Sequence, residues 1–320
     1  MSSATHILGH KSQQHDLLKD VEAGNISHGY LFVGPPHIGK FTVAKWFAEM
    51  LLMDGVDHAQ QEQVSAEVER LLHPDLLVLD QLWMEETNED LEQIAQFTNI
   101  SQEHRKKAKA KTDTISIDDI RALQARLHDV PRATYRCCLI RSVERMQDEA
   151  VNALLKILEE PPDGLVFLLT SRSEDVVPPT LLSRSRRMRF GRLTTRDMRP
   201  LVAGLSEEEQ QFLLHLAQGA PGIVERLKSD PDLLRQEQTL SSKAFTFWNE
   251  QSLTGRMASL AVLHERGEEA DRFLLHLCLS LRQLPSAKKT AAARPLRELL
   301  RGLETNVSRP LLCQQFAVNV

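Results

Sequence analysis

His28-Gly29-Tyr30-Leu31-Phe32-Val33-Gly34-Pro35-Pro36-His37-Ile38-Gly39-Lys40-Phe41-Thr42 is the stretch on which the reading of this chain turns. Tyr30–Val33 is continuously apolar, as a strand covered on both faces should be. Gly34 and Gly39 enclose four residues and are followed by Lys40, the Walker A spacing. In such a loop backbone N–H groups wrap phosphate oxygens, the lysine neutralises them, and a small hydroxyl directly after the lysine holds Mg²⁺. Here that position is Phe41, which has no oxygen to offer. Thr42 comes one residue late, about 100° further round a helix. Gly34, Gly39, Lys40 and Thr42 therefore outline a degenerate nucleotide site. ATP or ADP can enter it without being hydrolysed, no cofactor is required, and no metal is expected.

A second metal ligand should stand at the end of a later strand, as an acidic pair after four apolar residues. The matching run is Cys137-Cys138-Leu139-Ile140, and it ends in Arg141-Ser142. A cation replaces the carboxylate that would hold Mg²⁺, and a serine replaces the acid that would polarise water. Glu144 lies three residues on, too far along to restore the site. Two losses on one reaction coordinate argue against hydrolysis.

Working outward, apolar bursts at Leu76–Leu79 and Leu165–Thr170 read as further strands. Helical spacing marks Leu17, Leu18 and Val21, then Phe41–Met53, then Gln147–Glu160, which Pro161-Pro162-Asp163-Gly164 stops. Ser116 followed by Asp118 and Asp119 is a helix start, its acids placed at the positive end of the helix dipole. Strands alternating with helices imply an α/β domain with a parallel sheet. After about Arg192 the strand signal disappears. Residues 193–237 read as a small helical segment and 238–320 as an all-helical bundle, with Leu296, Leu299, Leu300 and Leu303 on one face. Residues 84–113 are charged, acidic first and then basic through Lys106–Lys111, and read as an exposed insertion or mobile loop.

The chain has 320 residues, a net charge of −5 and a pI near 6.2, a poor fit to a protein that binds DNA on its own. Its four cysteines contain no CxxC pair, so neither a zinc module nor a disulfide framework is expected. No apolar run is long enough to span a bilayer, the N-terminus lacks an apolar signal core, and a cytoplasmic location is expected. One basic run, Leu181-Leu182-Ser183-Arg184-Ser185-Arg186-Arg187, would on composition be a solvated face. It follows the last strand by one short helix, where a rigidly held guanidinium could cross a subunit boundary.

These motifs resemble a known family. The pieces are His28–Gly34, Asn152-Ala153-Leu154-Leu155-Lys156-Ile157-Leu158-Glu159-Glu160-Pro161-Pro162, and Leu182-Ser183-Arg184-Ser185. Together they are similar to the AAA+ clamp-loader subunits of bacterial DNA polymerase III, most of all the delta-prime branch, from about His6 to Leu227. The resemblance implies an AAA+ domain over 1–192, a helical lid over 193–237 and a helical collar over 238–320. It implies a stator in a hetero-oligomeric ring with motor subunits and a delta-type subunit, acting on a sliding clamp at primer–template DNA. By the same resemblance Arg184 becomes an arginine finger acting in trans, Ser185 standing where the family has cysteine. Thr170 matches the sensor-1 region. Ala220-Pro221-Gly222-Ile223 puts isoleucine where the sensor-2 region has arginine, a third defect. The family's four-cysteine zinc module is absent. The rivals are an active motor-type ATPase using Thr42 and Glu144 in a shifted geometry, and a DNA-binding accessory protein acting through Lys106–Lys111.

Overall fold

The computed structural model describes residues 7–80, 98–101 and 114–320. These fall into two compact units, one of residues 1–201 with 218–222, the other of 202–217 with 223–320.

The first unit is built on five parallel strands: β1 (Gly29–Val33), β2 (Leu76–Leu79), β3 (Arg136–Ile140), β4 (Leu165–Ser171) and β5 (Arg186–Arg189). Their order is β2-β3-β4-β1-β5. Phe32 pairs with Thr170 on one side and Met188 on the other. Every residue of β1 to β4 is buried, which explains their unbroken apolar runs. Helices α1 (Lys11–Glu22), α2 (Lys40–Leu52), α3 (His58–Glu69), α4 (Ile117–Leu127), α5 (Asp148–Glu159), α6 (Pro179–Ser183) and α7 (Thr195–Met198) surround them. Leu154 and Leu158 of α5 and Ile120 and Leu123 of α4 join Leu31, Phe167 and Leu169 in one core. Phe47 of α2 packs edge-on against Tyr30 with centroids 5.0 Å apart. A buried ion pair ties the 131–133 turn to the sheet. Asp75, fully buried, accepts from Nε and Nη2 of Arg136 and from the backbone N–H of Arg132 and Ala133. With its lone pairs used this way, the carboxylate's desolvation is offset.

Three sequence expectations change here. The basic run is not only a surface feature, because Arg186–Arg189 forms β5. It is an edge strand with only Met188 buried, so its apolar signal is too short to read. Arginines on such an edge also discourage pairing with another chain. Helix α3 shows only two apolar residues facing inward, Val64 and Val68, and escapes periodicity for that reason. Within the charged stretch, the described residues 98–101 are not an exposed loop. Thr98 and Ile100 are buried, and the Asn99 side-chain oxygen accepts from Val78 N while its backbone N–H donates to Val78 O, covering the free edge of β2. The rest of 84–113, Lys106–Lys111 included, lies outside the described residues.

The second unit is helical: α8 (Glu207–Ala217), α9 (Pro221–Ser229, whose first two residues belong to the first unit), α10 (Pro231–Asn249), α11 (Leu253–Leu260), α12 (Glu268–Leu281), α13 (Ser286–Leu303) and α14 (Arg309–Asn319). Asp230 caps α10 by accepting from Asp232 N and Leu233 N, with Pro231 in the first turn. Phe247 stacks on Phe316, and Trp248 Nε1 donates to Leu277 O and Ser280 Oγ, closing the bundle core.

Candidate nucleotide site

In an open parallel α/β sheet, ligands bind beyond the carboxyl ends of the strands. The loop after β1, Arg141 after β3 and Thr170 near the end of β4 all stand there.

The loop has the glycines its path demands. A Cβ on Gly34 would lie 2.3 Å from Phe190 O, and Gly39 has φ 96°, a left-handed conformation at the start of α2. The remaining loop carbonyls are held from the sides. His10 Nε2 donates to Ile38 O at 2.7 Å while its ring packs edge-on against Phe190. Burial lowers the His10 pKa, so at neutral pH the ring is uncharged and carries its proton on that nitrogen. Gly222, in the segment read as sensor 2, donates its N–H to His37 O at 2.9 Å.

Lys40 folds onto its own loop. Its Nζ donates to Gly34 O at 2.6 Å and Pro35 O at 2.7 Å. Burial pulls its pKa down to about 8; the Glu144 carboxylate opposes the fall and the Arg141 guanidinium adds to it. A cation held only by neutral carbonyls gains charge-assisted bonds from a phosphate.

Phe41 and Arg141, the two departures from a metal site, meet. The guanidinium carbon lies 5.4 Å from the Phe41 ring centroid, a cation–π contact. Arg141 Nη1 donates to both carboxylate oxygens of Asp80, at 3.2 and 2.9 Å, and Asp80 is buried. Arg145 Nη2 bonds Asp80 O and Arg141 O. The Thr170 hydroxyl accepts from Ser142 N at 3.0 Å and so braces the turn, with Ser142 at φ 57°. Thr42 is exposed, and Glu144 Oε1 accepts from Arg172 N at 3.3 Å. Magnesium prefers an octahedron of oxygens. The corner offers it a phenyl ring and a cation where two oxygen ligands would stand. Glu144 Oε2, buried without a hydrogen-bond partner, is a single oxygen and does not make up for both, so the residues do not fit the ion. The glycine path and Lys40 keep the frame of a Walker A loop, although Pro35 and Pro36 carry no N–H and the Gly34 N–H donates to Ser171 O at 3.1 Å. Among the described residues no group of His, Cys, Asp and Glu is arranged to hold a metal.

Arg184 lies apart from this corner, between α6 and β5. Its Nη2 pairs with Glu159 at 2.7 Å, and its Nη1 donates to Thr180 O and Ser183 Oγ. Both side chains of the pair stay open to solvent, 38% and 51% exposed. Glu159 closes α5 inside the Asn152–Pro162 motif, so two of the three signature pieces touch through this pair.

The model of the family described as DNA polymerase III, delta subunit, matches residues 9–194, more than half of the chain. This chain belongs to that family. Among curated proteins it is similar to the DNA polymerase III tau subunit of Bacillus subtilis, 27% identical over 199 residues, 62% of this chain and 30% of that protein. It is also similar to the tau subunit of Escherichia coli, 24% identical over 248 residues, 76% of this chain and 33% of that protein. The chain thus spans about a third of the length of these relatives. Of solved structures, a gamma subunit-related protein from Thermotoga maritima aligns over 96% of this chain and 97% of its own, with 17% identity and a TM-score of 0.44. The clamp loader delta protein of Bacillus subtilis aligns over 95% and 98%, with 14% identity and a TM-score of 0.34. The family match spans all three of the motifs that carry the resemblance. It ends at residue 194 and does not reach the second unit.

Sequence reading missed His10, Asp80, Arg145 and Glu159. Asp80 had a visible signal, an acid directly after the apolar run Leu76–Leu79, but its partner is fixed only by the β2–β3 pairing of Leu79 with Ile140. No helix among the described residues is long and apolar enough to cross a membrane.

Proposed function

We propose that this chain is a non-hydrolysing, delta-prime-type stator of the DNA polymerase III clamp loader, presenting Arg184 in trans to nucleotide on a neighbouring motor subunit. The observation that carries the reading is the Arg141–Phe41 contact. The positions that would hold magnesium are joined to each other and leave no place for its ligands. Arg184 is solvent-accessible on a short helix end, as a finger must be. Its charge would act on phosphoryl oxygens of the partner's nucleotide, where developing charge needs a fixed cation. The family suggests the rest of the assembly: motor and delta-type subunits in one ring, a sliding clamp, and primer–template DNA reached through the complex. On this reading 1–192 is the AAA+ domain, 193–237 the lid and 238–320 the collar.

The test is Mg²⁺-ATP hydrolysis by the purified chain beside Lys40→Ala. Turnover no greater than that of the variant is expected. Turnover that disappears with Lys40 would make this subunit a motor and overturn the reading.

A further inference from the structure

The two residues that abolish the metal site come from distant parts of the chain and are in contact. The Phe41 ring, at the position where a metal site needs a hydroxyl, carries the Arg141 guanidinium, at the position where it needs a carboxylate. That guanidinium is also anchored, since Asp80 holds its Nη1 and Arg145 binds the carbonyl of the same residue. Among the described residues its Nη2 and Nε make no further hydrogen bond, and the side chain is 40% exposed. Near it is Lys40, whose pKa the same guanidinium helps to lower. Two cations bias each other: Arg141 is answered by Asp80, Lys40 by neutral loop carbonyls and the nearby Glu144 carboxylate. Glu144 Oε1 takes the Arg172 N–H, while its Oε2 is buried without a hydrogen-bond partner.

We propose that the loop binds a nucleoside di- or triphosphate without a divalent metal, Arg141 serving as the second cation where a working site uses magnesium. The proposal deepens the non-hydrolysing reading of the same loop and rests on it. The glycine-flanked N–H groups and Lys40 hold the terminal phosphates, and the free N–H groups of Arg141 neutralise the oxygens that a metal would bridge. A fixed guanidinium supplies charge but no activated water and no octahedral geometry, so binding here is separated from hydrolysis. A dication would gain no oxygen ligand at Phe41 and would be repelled by Arg141.

Calorimetric titration of the full chain with ADP and with ATP, in millimolar Mg²⁺ and in excess EDTA, tests this. The expected affinities in the two buffers agree within about fivefold, a difference of roughly 1 kcal/mol. Arg141→Met should weaken binding about tenfold or more in EDTA, and Lys40→Met should abolish it. The double variant Phe41→Thr/Arg141→Asp should become Mg²⁺-dependent. Binding that strengthens beyond that fivefold margin on adding Mg²⁺, an affinity indifferent to Arg141→Met, or no binding of either nucleotide up to millimolar concentration would each overturn the proposal. Should Arg141→Met fail to fold, the wild-type comparison between buffers decides alone. Failure here with no hydrolysis leaves the stator reading intact, whereas Mg²⁺-dependent turnover removes both.

Discussion

Arg141 and Arg184 both stand beside the same sheet and are about equally exposed, 40% and 38%, but they are anchored differently. Arg141 is laid over Phe41, tied to a buried Asp80 and braced through Arg145 and Thr170. Arg184 has one ion pair, with a half-exposed Glu159, and two bonds to its own short helix. The first is anchored to a buried carboxylate beside the candidate nucleotide loop. The second is tied to a half-exposed acid and to its own helix, and such exposed pairs contribute about 0–1 kcal/mol. The contrast is one of anchoring, and the two proposed roles, a fixed cation at this chain's own loop and a cation offered to a partner, rest on it.

The largest expected effect would break or keep that contrast outright. In a reconstituted complex, Arg184→Ala should slow hydrolysis at the nucleotide it serves by about 10³-fold or more. The variant itself should assemble and melt like the parent, within about 0.5 kcal/mol. Unchanged partner turnover would make Arg184 a solvated surface charge. Next comes stability. Arg141→Ala removes the guanidinium bound to Asp80's buried carboxylate and should cost about 1–3 kcal/mol in urea denaturation. A loss as small as that of Arg184→Ala would mean the two arginines are held alike. The smallest effect sharpens the comparison at the exposed end. Glu159→Gln should change stability by no more than about 0.5 kcal/mol and lower the partner's kcat several-fold with KM unmoved, less than Arg184→Ala does. That pattern identifies Glu159 as a positioning residue. A shift in KM with kcat unchanged would assign it to docking instead.

Much of this was legible in the residue order. Four of the five strands are unbroken apolar runs, because a sheet covered on both faces leaves no polar alternation. Helix boundaries followed from Ser116 and from Pro161-Pro162, whereas the helix Pro231–Asn249 runs through the expected segment border at 237/238. The loss of the metal ligands needed only positions 41 and 141. What escaped has a common character. β5 is an edge strand of arginines, α3 buries two side chains, and residues 98–101 cover a strand edge through one asparagine. In each the number of buried apolar groups is too small to set a period, so local pattern carries no signal.

The sequence alone therefore determined the Walker A spacing, the absence of a side-chain oxygen ligand at positions 41 and 141, and the family, because these depend on spacing within short segments. Only the tertiary structure decided that Phe41 and Arg141 are partners, that Asp80 anchors the guanidinium, and that Glu159 holds Arg184. Those facts depend on which strands lie side by side. The pairing of β3 with β2 and β4, and the placing of α5 against α6, bring together residues that local chemistry along the chain leaves apart.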